Sequence, residues 1–197
     1  MFPDSRFSFS SDSRQRERLR WWVPLLLLTG FLALPPALAH EIPTDVRIKL
    51  YLKSESDGLM VYARVPLEAM RDMNFAERGP GYLDIVRARD QLPGAVSLWL
   101  SGDLSFDVAG RPLGPPTLVD VRLALPSNSA LASFADAVGS CSAPRLADDT
   151  ELYWAQALLD VRLKYRGVVD DELFITPSLG RLGQRTFTEV GYLADDD

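Results

Sequence analysis

The chain has 197 residues, with 21 Lys+Arg against 27 Asp+Glu, one histidine and one cysteine. Setting residues 1–39 aside as an export leader removes five arginines and three acids; the other 158 residues make one ordinary domain with 16 cations against 24 anions, a net of −8. Such a balance excludes a nucleic-acid partner, which needs clustered cations, and one cysteine with one histidine excludes a Cys/His zinc site or an internal disulfide framework.

The leader has a basic stretch from Arg14 to Arg20, an apolar core from Trp21 to Leu34 and the small-residue site Ala37-Leu38-Ala39. This is the pattern of a secretory signal peptide cleaved after Ala39, with Pro35-Pro36 breaking the helix ahead of the cut. The expected address is periplasmic or secreted. Left uncleaved, residues 21–39 have about the length of a bilayer crossing and would anchor the protein instead. No membrane span is expected after signal cleavage, since no later stretch is long and apolar enough.

From Thr44 the sequence alternates. Val46, Ile48, Leu50 and Leu52 share one face, and Asp45, Arg47, Lys49, Tyr51 and Lys53 the other, as in a half-buried strand. After the turn residues 54–58, Leu59, Val61, Ala63 and Val65 resume the alternation, which predicts a hairpin. Residues 67–92 carry two short helical patterns around the loop Glu77-Arg78-Gly79-Pro80-Gly81, and residues 94–101 fit either a helix end or a strand. Leu104, Phe106 and Val108 predict a strand that turns at Ala109-Gly110 into a proline-rich connector.

Residues 118–125 alternate Val119, Val121, Leu123 and Leu125 against Asp120 and Arg122; residues 129–138 read as a short amphipathic helix and 139–149 as a loop. Then Leu159, Val161, Leu163 and Tyr165 point inward, with Asp160, Arg162 and Lys164 outward. Segments 172–176 and 185–193 complete the set. Short strands without intervening long helices predict a mainly β fold: an antiparallel, immunoglobulin-like β-sandwich of about seven strands with short helical insertions, over residues 40–193, before an acidic tail at 194–197. Its core is expected to unite Val46, Ile48, Leu50, Val61, Val65, Val121, Leu123, Leu159, Val161 and Leu163.

Several words of the sequence are distinctive: His40-Glu41-Ile42-Pro43-Thr44-Asp45, the run from Val65 to Phe75, Arg78-Gly79-Pro80-Gly81-Tyr82-Leu83-Asp84, the run from Asp149 to Asp160, and Leu179-Gly180-Arg181-Leu182-Gly183. In them the chain resembles the exported N-terminal domain of HupE/UreJ-like bacterial membrane proteins. The resemblance implies a β-rich extracytoplasmic domain that in the family precedes a multi-helix, metal-bearing membrane part. Nothing here matches that membrane part, so metal transport is not carried over.

Candidate chemistry is sparse. If cleavage falls after Ala39, His40 offers an α-amine and an imidazole that can chelate Ni(II) or Cu(II), or it is merely the flank of the cleavage site on a frayed end. No imidazole is available for a Ser-His-Asp or Cys-His arrangement elsewhere in the chain. The pairs Asp148-Asp149 and Asp170-Asp171 read as solvated turn acids, and Cys141, in a polar loop, as an exposed thiol. Tyr153 and Trp154 suit a binding platform, although Trp154 stands at core spacing from Leu152.

The expected function is therefore a non-enzymatic, exported interaction domain whose partner is a membrane protein or another periplasmic protein. The alternative is a periplasmic protein handling nickel or copper through His40. The contact surface is placed at a loop comprising Arg71, Asp72, Arg78, Gly79, Pro80, Gly81, Tyr82 and Asp84, packed over one end of the sandwich.

Overall fold

A computed structural model describes residues 43–70, 72–129, 131–140, 143–169 and 172–193. The expected leader, His40, Arg71, Cys141, Asp170-Asp171 and the acidic tail lie outside the described residues. Strand β1 (Asp45–Glu55) buries its even-numbered residues, as the alternation requires, and turns through Ser56-Asp57 into β2 (Gly58–Pro66). After Leu67–Ala69, a single 3-10 turn, and the loop that follows, helix α1 occupies Ile85–Trp99.

Of the two short helices expected in residues 67–92, the first is only the 3-10 turn and the second is this longer helix. Asp84 caps it, its Oδ1 accepting the Arg87 amide at 3.1 Å, and it continues through Pro93. A mid-helix proline costs about 3 kcal/mol in lost hydrogen bonding and clash. Against that, Ile85, Ala88, Leu92, Ala95, Val96 and Trp99 are all buried along one stripe, while Pro93 and Gly94 face solvent. Burial of the second half of the helix outweighs the local preference to stop, and the ambiguous segment after Gly94 resolves as helix.

Strand β3 (Leu104–Val108) reverses through Ala109 and Gly110, at φ 48° and 76°, into the two-residue β4 (Arg111–Pro112). Then come β5 (Thr117–Ala124) and helix α2 (Phe134–Ser140). Ser133 starts α2 later than the sequence suggested: its Oγ accepts the Asp136 amide at 3.2 Å and donates to Asp136 Oδ2 at 2.6 Å, a reciprocal cap. Strands β6 (Leu158–Arg166), β7 (Leu173–Pro177) and β8 (Arg185–Leu193) follow.

Eight strands are thus present among the described residues, in a five-stranded sheet ordered β5-β6-β2-β1-β8 and a three-stranded sheet ordered β4-β3-β7. The chain is mainly β, but not purely antiparallel as expected, because β8 runs parallel to β1 from Asp45↔Arg185 to Lys53↔Leu193. All ten residues expected to share a core do so. They join Phe106 and Leu104 of the small sheet and the buried stripe of α1 in one cluster. Tyr165 of β6 meets Phe106 of β3 edge-on at 4.7 Å, and its hydroxyl donates to the Leu104 carbonyl at 2.9 Å, linking the sheets.

A second, smaller cluster lies on the opposite face of the large sheet. There Met60 and Tyr62 pack with Leu131 and Ala137, and Phe134 stands edge-on to both Tyr51 and Tyr62 at 6.1 Å. Arg64 donates to the Asn128 carbonyl at 2.6 Å and Lys49 to the Leu131 carbonyl at 3.3 Å, so the segment around α2 is tied across β1 and β2.

Candidate functional site

The loop before α1 is a small, closely tied structure. Glu77 and Leu83 form an antiparallel bridge, the Arg78 amide donates to the Tyr82 carbonyl at 2.9 Å, and Glu77 Oε2 accepts the Gly81 amide at 3.0 Å. Gln91 of α1 holds its approach, accepting the Ala76 amide at 2.7 Å and donating to the Asn74 carbonyl at 2.8 Å. Segment 149–154, some seventy residues further along, docks against it. Tyr82 bridges Tyr153, the Leu83 amide donates to the Leu152 carbonyl, the Trp154 amide to the Gly81 carbonyl, and Arg78 Nη2 to the Asp149 carbonyl at 2.9 Å. Two of the distinctive words in the sequence are therefore one surface in the fold.

At its centre Tyr82 and Tyr153 stand edge-on at 5.8 Å, and each remains exposed, at 43% and 42%. Leu152 is buried and Trp154 half-buried, so of the two aromatics read as a platform only Tyr153 presents itself outward. The two glycines differ in what they must do. A Cβ on Gly79 would meet nothing within 4 Å, whereas one on Gly81, at φ 79°, would lie 2.1 Å from Tyr153 Cε2. Gly81→Ala is accordingly expected to expel the Tyr153 ring and to cost about 1–3 kcal/mol for the left-handed backbone and the clash. Thermal unfolding together with tyrosine fluorescence checks this, and a variant with parental Tm and spectrum would show that the contact is unimportant.

The other loop residues named from sequence divide. Pro80 and Asp72 are exposed, and Asp84 serves the helix as its cap, with Arg87 3.9 Å away as an ion-pair partner. Nearby, burial raises the Glu68 carboxyl above its ordinary value. Asp148 is a solvent-exposed acid, as its turn position suggests, and it also accepts Arg89 Nη1 at 2.6 Å.

A second concentration of polar groups was misread from sequence. Asp120, Arg122, Asp160 and Arg162, on the face taken as solvent-facing, are half-buried or buried on the outer face of the large sheet, near the segment around α2. Arg64 and Asp160, 9% and 6% exposed, are directly opposed on β2 and β6 and form a two-pronged pair, Nε to Oδ1 at 2.6 Å and Nη2 to Oδ2 at 2.7 Å. Asp120 accepts Arg122 Nε at 3.0 Å and Arg145 Nη2 at 2.8 Å. Burial opposes the ionisation of Asp120, but the Arg122 and Arg145 guanidiniums prevail and hold its carboxyl below the ordinary value.

Among the described residues no group of three or more His, Cys, Asp or Glu is arranged to hold a metal ion, and no helix is long and apolar enough to cross a membrane. Compared with protein-family models, with curated proteins and with solved structures, the chain matches none.

Proposed function

We propose that this protein is a non-enzymatic, exported interaction domain of the HupE/UreJ-like ectodomain type, built as an immunoglobulin-like sandwich, that engages a membrane or periplasmic protein through the Tyr82–Tyr153 surface. The observation that carries the reading is the rigid, exposed tyrosine pair. Tyrosine offers a large amphipathic contact at low conformational cost, and aromatic residues together with arginine are enriched at protein interfaces. Here backbone hydrogen bonds on both sides of each ring's residue fix the pair before any partner arrives, which lowers the ordering cost of binding. Export is supported by the leader pattern, and the sandwich by the single core to which both sheets contribute.

The test is photo-crosslinking in the native host, with a benzophenone amino acid replacing Tyr82 or Tyr153. Both positions are expected to give one and the same adduct, and Val119, exposed on edge strand β5, none. Equal adducts from all three positions, or none from the tyrosines, would remove the interface. A hydrolase panel showing turnover that one carboxylate substitution abolishes would remove the non-enzymatic reading.

A further inference from the structure

The large sheet ends in two unlike edges. At β5 the ladder to β6 slips register between Leu118 and Asp120, an irregularity of the kind that blunts an edge against further pairing. Strand β8 carries no such device. Its nine residues pair with β1 without interruption, and they include no proline and no lysine. Among the described residues no strand pairs with its other side, so backbone donors and acceptors stand open along it.

The side chains of β8 are also uncovered. Phe187, Val190, Tyr192 and Leu193 are 42–51% exposed, and none belongs to either apolar cluster. Val190 and Tyr192 stand beside Leu50 and Leu52 of β1 on the core side of the sheet, yet those two neighbours are only 1% exposed. The apolar cover therefore stops at β1, one strand short. Phe187 and Leu193 lie on the opposite face, where the Arg47 guanidinium sits 5.4 Å from the Phe187 ring.

We propose that this edge pairs with β8 of a second copy of the chain, antiparallel and centred on Val190, joining two five-stranded sheets into one of ten strands. The strand's own sequence selects both occupant and register. Opposed residues of an antiparallel pair share a face, and centring on Val190 sets Val190 against itself, Phe187 against Leu193, Thr188 against Tyr192 and Glu189 against Gly191. Every exposed apolar side chain of β8 then has a cross-strand neighbour that suits it, and no charge opposes a like charge. Centring on Glu189 would oppose that acid to itself, and centring on Thr188 would set Phe187 against Glu189. Centring on Phe187 would match Arg185 to Glu189 but leave Val190, Tyr192 and Leu193 beyond the paired strands, and Arg185 is already bonded to Asp45 at 2.7 Å. The contact is two-fold and uses both open edges, so association closes at two chains.

Disulfide trapping and light scattering of the full chain test the proposal, with Cys141→Ser added to every cysteine variant to remove the one native thiol. Directly opposed residues of an antiparallel pair have Cα atoms about 4.5–5.5 Å apart, within the span of a disulfide. Val190→Cys is therefore expected to give a covalent dimer under mild oxidation. Thr188→Cys, whose two copies stand out of step, and Val119→Cys on β5 should give none. The parent should scatter as twice the chain mass, and Val190→Lys, which sets two ammonium groups face to face, as one chain mass with parental circular dichroism. A parent of one chain mass at every concentration, or a parental dimer that Val190→Cys does not trap, would overturn the pairing. So would equal trapping at all three positions, or trapping at Thr188→Cys alone, which belongs to another register. Should Val190→Lys fail to fold, the parental mass and the position of the disulfide decide the matter.

Discussion

Asp160→Ala is expected to lower the unfolding free energy by about 3–5 kcal/mol, the range for breaking a buried ion pair from one side. The loss arises less from the missing attraction than from the cation left behind. Arg64 is nearly inaccessible, and without Asp160 only its Nη1 contact to the Asn128 carbonyl remains. Arg122, which neighbours Asp160 across β5 and β6, would feel the same loss of counter-charge. Against a total stability of about 5–15 kcal/mol, such a change brings the variant close to unfolding at room temperature. Urea titration would show the midpoint falling at unchanged slope. The double variant Arg64→Met, Asp160→Leu is expected to recover most of the loss, because apolar residues of similar size need no partner in this layer, which already holds Met60, Tyr62 and Leu131. A single-variant loss below about 1 kcal/mol would place the pair in solvent, as the simple alternation of β6 suggested.

That alternation explains both what was legible in the sequence and what was not. A period of two assigns residues to faces, and the ten named residues of the inward face form one cluster; in β5, however, Val119, placed inward with Val121 and Leu123, is exposed because the strand shifts register between Leu118 and Asp120. The period does not say what covers the other face. Taking Asp120, Arg122, Asp160 and Arg162 as solvated followed from their charge alone. A signal to the contrary stood in β2, where Leu59-Met60-Val61-Tyr62-Ala63 is apolar on both faces, the mark of a strand buried on both sides. The parallel pairing of β8 with β1 has no local signature, because it joins segments 140 positions apart. The candidate surface behaves likewise: Arg78 to Asp84 and Asp149 to Trp154 were each distinctive, but the hydrogen bonds that join them are a property of the fold.

Phe106→Ala is expected to be as damaging as the loss of Asp160, at about 3–5 kcal/mol for a buried aromatic cut to a methyl group. The residue is fully buried in β3, whose sheet has only three strands, one of them two residues long. A sheet of that size is marginal on its own, so its hold depends on contacts with the larger sheet. Phe106 against Tyr165 is one of these, and the Tyr165 hydroxyl on the Leu104 carbonyl is a second. Burial pushes the Tyr165 phenol well above its usual value of 10, so it stays protonated and a donor across the whole range in which the protein is handled. The two contributions can be separated. Tyr165→Phe keeps the ring and removes the donor, and should cost only about 0.5–1.5 kcal/mol. Phe106→Ala opens a cavity between the sheets, and amide exchange should then become fast in β3 and β7 while β1, β2 and β6 remain protected. If exchange instead rises equally in both sheets, the small sheet does not open as a separate unit and the sheets unfold as one.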